Sequence, residues 1–176
     1  MLRYLETAPQ GLIGAVVTSP WIDEEMKAPA WKLALAKLLA GPAPGLGMHT
    51  GLDTSLLSTD PAVGRAADAD QLYHGRMTPA AWREIQAAQV AVVAEADRIA
   101  TPLLFLLAGD DRIVARAASE ALARSLPVPP DVVVYEGMYH EILNERDKVR
   151  VLNDLGGWLD RLVASAPPAT GASGKA

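Results

Sequence analysis

Two uninterrupted apolar segments constrain the fold of this 176-residue chain more than any other feature. The first is LIGAVVTS at residues 12–19, and the second is PLLFLLA at residues 102–108. Neither segment alternates between apolar and polar residues, so each predicts a β-strand that is buried on both faces of a sheet. A third strand is expected at residues 132–135, with helices between and after the strands. This alternation predicts an α/β fold with a sheet of three parallel strands.

The segment between the first two strands is too long for a single crossover connection. Asp60-Pro61 and Thr78-Pro79 each place an N-cap residue before a proline at the first helical position, which indicates that helices start there. Helices are predicted at residues 29–40, 61–69, 79–98, 115–126 and 145–164, and the Gly- and Pro-rich residues 42–52 are predicted to form a loop. The expected domains are an α/β core from residues 1–20 and 101–165, a helical cap at residues 21–100 and a disordered tail at residues 166–176.

Three of the predicted helices carry apolar stripes, and that of helix 79–98 consists of Trp82, Ile85, Val92 and Ile99. In helix 29–40, Trp31, Leu35, Leu38 and Leu39 lie on one side, which fits either a buried face of the cap or a lid that faces lipid. Helix 145–164 is expected to begin after Asn144 as its N-cap. Its inward side is predicted to contain Val149, Leu152, Leu155, Leu159 and Leu162.

Composition argues against several classes of function. The chain has 16 Lys and Arg against 21 Asp and Glu, a net charge of −5, which argues against a nucleic-acid-binding protein with a broad basic face. It has no cysteine, which excludes disulfides, thiolate zinc sites and a cysteine nucleophile. No cofactor or metal is expected, because HEILN at residues 140–144 has an asparagine where the zinc motif H-E-x-x-H has its second histidine. No signal peptide or membrane-length apolar run is recognisable, so a cytoplasmic location is expected.

An acid and a histidine follow the carboxyl ends of two predicted strands. Asp110 and Asp111 come directly after strand 102–108, and His140 follows strand 132–135. Because functional groups in α/β sheets gather beyond the carboxyl ends of the strands, we expect these side chains to lie close together. A carboxylate that orients an imidazole produces a general base. The alternative interpretation is that the aspartates form a turn or helix cap and His140 is a solvated loop residue.

Three segments together resemble a known family: LLAGDDRIV at residues 106–114, VYEGMYHEILNE at residues 134–145 and LLSTDPAVGRAADADQLYHGRMT at residues 56–78. They look like the C-terminal part of the α/β-hydrolase fold, and most closely its monoacylglycerol lipase and lysophospholipase branch of serine-aminopeptidase-type hydrolases. The resemblance implies a Ser-Asp-His triad that hydrolyses carboxylic esters of lipids. In this sequence the triad positions are Asp111 and His140, with Asp110 as the alternative acid. The cap is expected to make transient contact with a membrane surface.

The sequence departs from that family at the nucleophile, for which the family uses a G-x-S-x-G elbow. The two glycine pairs that lie four residues apart enclose Ala43 and His49 instead of serine. Residues 1–4 look like the helix that follows the elbow, so the resemblance implies a missing N-terminal half, as in a fragment, a chain with a misplaced start codon or a gene remnant. We expect this chain alone to be inactive and strand 12–19 to have a bare, aggregation-prone edge.

Three functions therefore remain open at this point. The chain is a partial serine hydrolase, a non-catalytic remnant that binds apolar ligands, or one half of a split hydrolase whose other chain supplies the serine. Two further histidines are interpreted structurally: His49 as a solvated loop residue, and His74 as packing within the cap or lining an acyl pocket.

Overall fold

A parallel three-stranded sheet organises the structure, a computed structural model that describes residues 1–165. In chain order the elements are α1 (Leu2–Leu5), β1 (Ala15–Thr18), α2 (Ala30–Leu39), β2 (Met48–His49), α3 (Pro61–Ala69), β3 (Arg76–Met77), α4 (Pro79–Ala94), β4 (Leu103–Ala108), α5 (Arg116–Ser125), β5 (Asp131–Tyr135) and α6 (Lys148–Ser165). The predicted α/β fold is thereby confirmed. The tail predicted at residues 166–176 lies outside the described residues.

Strand β4 is the centre of the sheet, which has the order β1-β4-β5. Phe105 of β4 is in register with Val17 of β1 on one side and with Val132 of β5 on the other, and both pairings are parallel. Every residue of β4 is buried, as the uninterrupted apolar sequence predicted. The carboxyl ends of β4 and β5 therefore lie side by side at one edge of the sheet.

Each face of the sheet carries its own apolar core. On one face, Phe105 and Leu107 pack with residues from α1, α4 and α5, including Leu5, Val92 and Leu122. On the other face, the buried cluster consists of Leu104, Leu106, Ala108, Tyr135, Met138, Ile142, Val151 and Trp158. Helices thus cover both sides of the sheet, which is why β4 contains no polar residue.

The helix starts in the segment between β1 and β4 follow the local sequence signals. Asp60 accepts a hydrogen bond from the backbone N–H of Ala62 at the start of α3, and Thr78 accepts one from Ala81 at the start of α4. The predicted loop at residues 42–52 is only partly a loop, because it contains β2, which pairs antiparallel with β3. Strands of two residues are too short to show alternation in a sequence.

Helix α6 differs from its prediction in start and rotation. It begins at Lys148, and Asn144 lies in a preceding 3₁₀ turn, Ile142–Asn144, instead of capping the helix. The side packed on the sheet contains Val151, Leu155, Trp158 and Leu162, whereas Val149, Leu152 and Leu159 are exposed. Leu162 and the large ring of Trp158 pack beside Gly14, where a Cβ would lie 2.6 Å and 2.8 Å from them, and this fit accompanies the observed rotation.

One side of β1 has no strand beside it among residues 1–165. The backbone N–H groups of Ala15 and Ser19 point to the β4 side, where they donate to carbonyl oxygens. Because backbone groups alternate along a strand, those of Val16 and Thr18 point the other way. The Thr18 side chain is exposed, whereas Val16 packs partly against the sheet face beneath α6. Such an edge is a template for pairing between copies of the chain.

We predict that Thr18→Lys reduces self-association, because a lysine on an edge strand opposes edge-to-edge pairing. The measurement is size-exclusion chromatography with light scattering over a range of protein concentrations. Ala121→Lys, on the exposed side of α5, adds the same charge away from the edge and serves as the control. A wild-type chain that stays monomeric, or an equal effect of the two lysines, would contradict the prediction.

Candidate active site

Asp111 and His140 meet beyond the adjacent carboxyl ends of β4 and β5. Nδ1 of His140 lies 2.8 Å from Oδ2 of Asp111. The Asp111 side chain is 1% exposed, whereas that of His140 is 26% exposed. Asp110 is exposed and contributes its backbone N–H to the carbonyl oxygen of Met138. The structure therefore brings together the expected pair, and Asp111 rather than Asp110 supplies the carboxylate.

The second oxygen of Asp111 is held by the backbone. Oδ1 accepts hydrogen bonds from the N–H groups of Ile113 at 2.9 Å and Val114 at 3.0 Å. Burial acts to raise the pKa of Asp111, but the hydrogen bonds from His140, Val114 and Ile113 outweigh it and hold this pKa below its usual value. An ionised Asp111 accepts a hydrogen bond, so the neutral His140 ring carries its proton on Nδ1. Nε2 of the ring is then free to accept a proton.

Two glycines position the loops that carry this pair. A Cβ on Gly109 would lie 2.5 Å from Cα of Glu136, so a side chain there would push the Asp111 loop away from the end of β5. Gly137 has a φ of +81°, a left-handed conformation that glycine adopts without strain. This turn redirects the chain from β5 towards His140.

A buried carboxylate, Glu145, ties the His140 loop to the segment between β1 and β4. Glu145 is 3% exposed. Its Oε1 accepts the backbone N–H groups of Tyr139 at 2.8 Å and Thr59 at 2.9 Å, and its Oε2 accepts the Thr59 hydroxyl. Tyr139 directly precedes His140, and Thr59 lies just before α3. The local sequence around Glu145 does not indicate this role, because Thr59 is 86 residues away.

His140 also lines a cavity of about 290 Å³. The other walls come mainly from the segment between β1 and β4, and they include the apolar side chains of Trp21, Leu33, Met48 and Trp82. Ile113 and Val114, which flank the Asp111 loop, complete the wall near the histidine. His140 therefore faces a mostly apolar space.

The two other histidines differ in position. His49 was predicted to be a solvated loop residue; it is exposed, but it lies in β2, lines the cavity and accepts the N–H of Gly51 on Nδ1 at 3.0 Å. His74 is exposed in the turn before β3 and does not line the cavity. Within residues 1–165, no group of three or more histidine and acidic side chains is arranged to hold a metal ion.

Comparison with known families gives a match over most of the chain. The sequence profile of the family described as serine aminopeptidase, S33, matches residues 1–147. The monoacylglycerol lipase of Mycolicibacterium smegmatis is 32% identical over 129 residues, which are 72% of this chain and 46% of that protein. An uncharacterised abhydrolase domain-containing protein of Dictyostelium discoideum is 29% identical over 155 residues, which are 87% of this chain and 16% of that protein.

Solved structures give the same result. The monoacylglycerol lipase of Paleococcus ferrophilus superposes with a TM-score of 0.85 at 31% identity, covering 92% of this chain and 63% of that one. A soluble variant of monoglyceride lipase from Saccharomyces cerevisiae, in complex with a substrate analogue, shares the fold with a TM-score of 0.79 at 21% identity, covering 92% and 57%. This chain thus spans less than two thirds of each of these relatives.

We predict that Glu145→Gln destabilises the fold and flattens the dependence of stability on pH. Burial acts to raise the pKa of Glu145, but its hydrogen bonds with Thr59 and Tyr139 hold it below the ordinary value of 4.5. A lowered pKa means that the stabilisation is present above pH 4.5 and is lost as the pH falls through the folded-state value. At neutral pH the variant should lose about 1–3 kcal/mol, because the two N–H groups and the Thr59 hydroxyl then bond a neutral amide instead of a charged carboxylate, and the hydroxyl must turn to accept from the amide NH2.

The measurement is urea unfolding at several pH values between neutral and strongly acidic. Asp111 has a lowered pKa too, so the variant keeps part of the acid dependence. Glu141→Gln is the control, since the Glu141 carboxylate accepts a hydrogen bond from Asn144 within its own loop. An unchanged free energy of unfolding at neutral pH, with an unchanged acid slope, would refute the role assigned to Glu145.

Proposed function

Because the chain belongs to the serine aminopeptidase S33 family of α/β-hydrolases, we propose that it supplies the acid–base pair and the acyl pocket of a lipid-ester hydrolase. The observation that carries the proposal is the contact between Asp111 and His140 at the wall of an apolar cavity. In this proposal His140 is the general base and then the general acid, and Asp111 orients it. Residues 21–100 act as the cap that encloses the acyl chain.

The proposed chemistry follows from the tautomer of His140. With Nδ1–H held by Asp111, Nε2 accepts the proton of a serine hydroxyl as the serine oxygen attacks the ester carbonyl carbon. Nε2–H then donates this proton to the leaving alcohol oxygen as the C–O bond breaks. In the second half, Nε2 accepts a proton from water as the water oxygen attacks the acyl-enzyme, and it returns the proton to the serine oxygen. Asp111 remains ionised throughout and stabilises the imidazolium.

The character of the cavity supports an ester with an apolar acyl chain as the substrate. Its walls are mostly aliphatic and aromatic side chains, which favour burial of a hydrocarbon chain over that of a charged peptide. Relatives named as monoacylglycerol lipases point in the same direction. A glycerol ester of a fatty acid is therefore the substrate class that we assign to the complete site.

In this family the nucleophilic serine lies in a G-x-S-x-G sequence. The 176 residues contain no such sequence. Ser19 lines the cavity, but it is buried and its Oγ accepts the backbone N–H of Ala108 at 3.2 Å. That hydrogen bond gives the hydroxyl a structural role. We therefore propose that Ser19 is not the nucleophile and that the attacking serine belongs to a further segment or a second chain.

A second candidate function is the binding of apolar ligands without catalysis, which the same cavity favours. The two candidates differ in what precedes the codon of Met1. An in-frame G-x-S-x-G directly upstream supports the hydrolase, whereas its absence there and in any associated chain supports the binding protein. This comparison needs only the nucleotide sequence.

We predict that the 176-residue chain alone neither hydrolyses p-nitrophenyl butyrate nor reacts with a fluorophosphonate probe, because an acid–base pair without its nucleophile has nothing to activate. The chain extended by an upstream elbow should do both. In the extended chain, His140→Ala should lower kcat by about 10²- to 10⁴-fold, and Asp110→Asn should leave it nearly unchanged. Stoichiometric labelling of a serine within the 176 residues, Ser19 above all, would overturn this assignment.

A further inference from the structure

Two tryptophans meet on the wall of the cavity that His140 also lines. Trp21 lies shortly after β1, and Trp82 lies near the start of α4. The centroids of the two rings are 6.1 Å apart, and the ring planes are tilted by 51°. A tilted pair leaves more ring face uncovered than a stacked pair does, so this wall offers π surface as well as aliphatic groups.

A carboxylate lies beside this aromatic pair. Glu24 lines the same cavity, and its Oε1 accepts a hydrogen bond from Nε2 of Gln86 at 3.0 Å. Gln86 follows Trp82 by one turn on the same face of α4, so the Glu24 carboxylate lies close to the indole ring. Within residues 1–165, its second oxygen, Oε2, accepts no hydrogen bond.

No cation of the chain neutralises Glu24. Within residues 1–165, no lysine or arginine nitrogen lies within 4.0 Å of its carboxylate oxygens, and Lys27, three residues away, pairs with a different acid. Lys32 lines the same cavity, but its Nζ donates to the carbonyl oxygen of His49. A carboxylate in a mostly apolar wall is more stable with a positive partner, and here a ligand can supply one.

The position of Glu24 is fixed by its backbone as well as by its side chain. Glu24 forms an antiparallel bridge with Val114, in the loop that carries Asp111. The N–H of Glu25 donates to the carbonyl oxygen of Ile113 at 3.1 Å, which holds the same contact one residue further on. A ligand therefore meets a carboxylate that is already held in place, which reduces the entropy lost on binding.

From these observations we propose that the cavity binds an amphiphile that ends in a quaternary ammonium group. The faces of Trp21 and Trp82 attract the cation, Glu24 neutralises it, and the aliphatic walls contact the hydrocarbon chain. A primary ammonium group has three N–H donors to satisfy, and this wall offers it one free carboxylate oxygen. A quaternary ammonium group needs no acceptor, so π surface and one negative charge suit it better.

The proposal concerns a single molecule inside the cavity and goes beyond the proposed function, since binding needs no nucleophile. If the extended chain hydrolyses esters, the fatty ester of a quaternary amino alcohol is a further substrate beside glycerol esters. Within residues 1–165, no helix is long and apolar enough to cross a membrane.

The test is an NMR titration of the 176-residue chain with octyltrimethylammonium, octylammonium and 1-octanol, followed through the indole N–H signals of its four tryptophans. Octyltrimethylammonium should bind about fivefold more tightly than 1-octanol, and octylammonium should bind less tightly than octyltrimethylammonium. The signals of Trp21 and Trp82 should shift on binding. The signal of Trp158, which is buried beneath α6 on one face of the sheet, should stay in place.

Substitutions at the carboxylate separate this site from the general negative charge of the chain. Glu24→Gln keeps an oxygen for Gln86 and should weaken octyltrimethylammonium binding about fivefold, while 1-octanol binding stays unchanged. Glu25→Gln is the matched control, because it removes the same charge from the exposed neighbour and should bind like the wild-type chain. Trp82→Leu should lower the preference for octyltrimethylammonium over 1-octanol about threefold. The two glutamine variants should melt at the wild-type temperature.

Absence of binding, or 1-octanol binding as tightly as octyltrimethylammonium, would overturn the proposal. Equal losses with Glu24→Gln and Glu25→Gln would also overturn it, since the net charge of −5 would then account for the attraction. Tighter binding of octylammonium would contradict the assignment of a quaternary group. Failure of the extended chain to hydrolyse any ester would refute the proposed function and leave the titration result standing.

Discussion

The candidate site depends on the parallel pairing of β4 with β5, because parallel strands deliver their carboxyl ends to the same edge of a sheet. That pairing places Asp111 and His140, which are 29 residues apart, within 2.8 Å of each other. A parallel strand such as β4 is buried on both faces. The helices that pack on the two faces of the sheet provide this burial. The lack of a side chain at Gly109 then lets the Asp111 loop approach the end of β5. The geometry of the acid–base pair is thus a consequence of how the sheet is covered.

Glu145 connects this edge of the sheet to the segment that forms the cavity. Its carboxylate holds the backbone beside His140 and that of Thr59, just before α3, at the same time, so the His140 loop is fixed to the segment between β1 and β4. In the proposed function His140 accepts a proton while it faces an apolar ligand, and such a group needs a restraint because small displacements of a catalytic group are costly. The buried carboxylates of Asp111 and Glu145 are tolerated because hydrogen bonds offset the cost of removing them from water.

The features that local sequence determines were predicted, and those that depend on distant partners were not. The positions of the three strands, the caps at Asp60 and Thr78 and the Asp111–His140 pair follow from apolar runs, short-range signals and strand order. The first strand is shorter than the predicted residues 12–19 and is not buried throughout, since Leu12, Ile13 and Thr18 are exposed. The rotation of α6 accompanies the fit of Trp158 beside Gly14, which periodicity does not contain. The stripe on α2 has the same spacing whether it faces a core or a membrane, so only the fold reveals that it is exposed.

The most direct test is ¹⁵N NMR of the imidazole rings, which is tractable because the chain has only three histidines. The structure predicts that the neutral form of the His140 ring carries its proton on Nδ1, with Nε2 free to accept one. Asp111→Asn should shift this tautomer equilibrium, whereas Asp110→Asn should leave the His140 signals in place. A predominant Nε2–H tautomer in the wild-type chain, or equal responses to the two substitutions, would contradict the assignment of Asp111 and His140 as an acid–base pair.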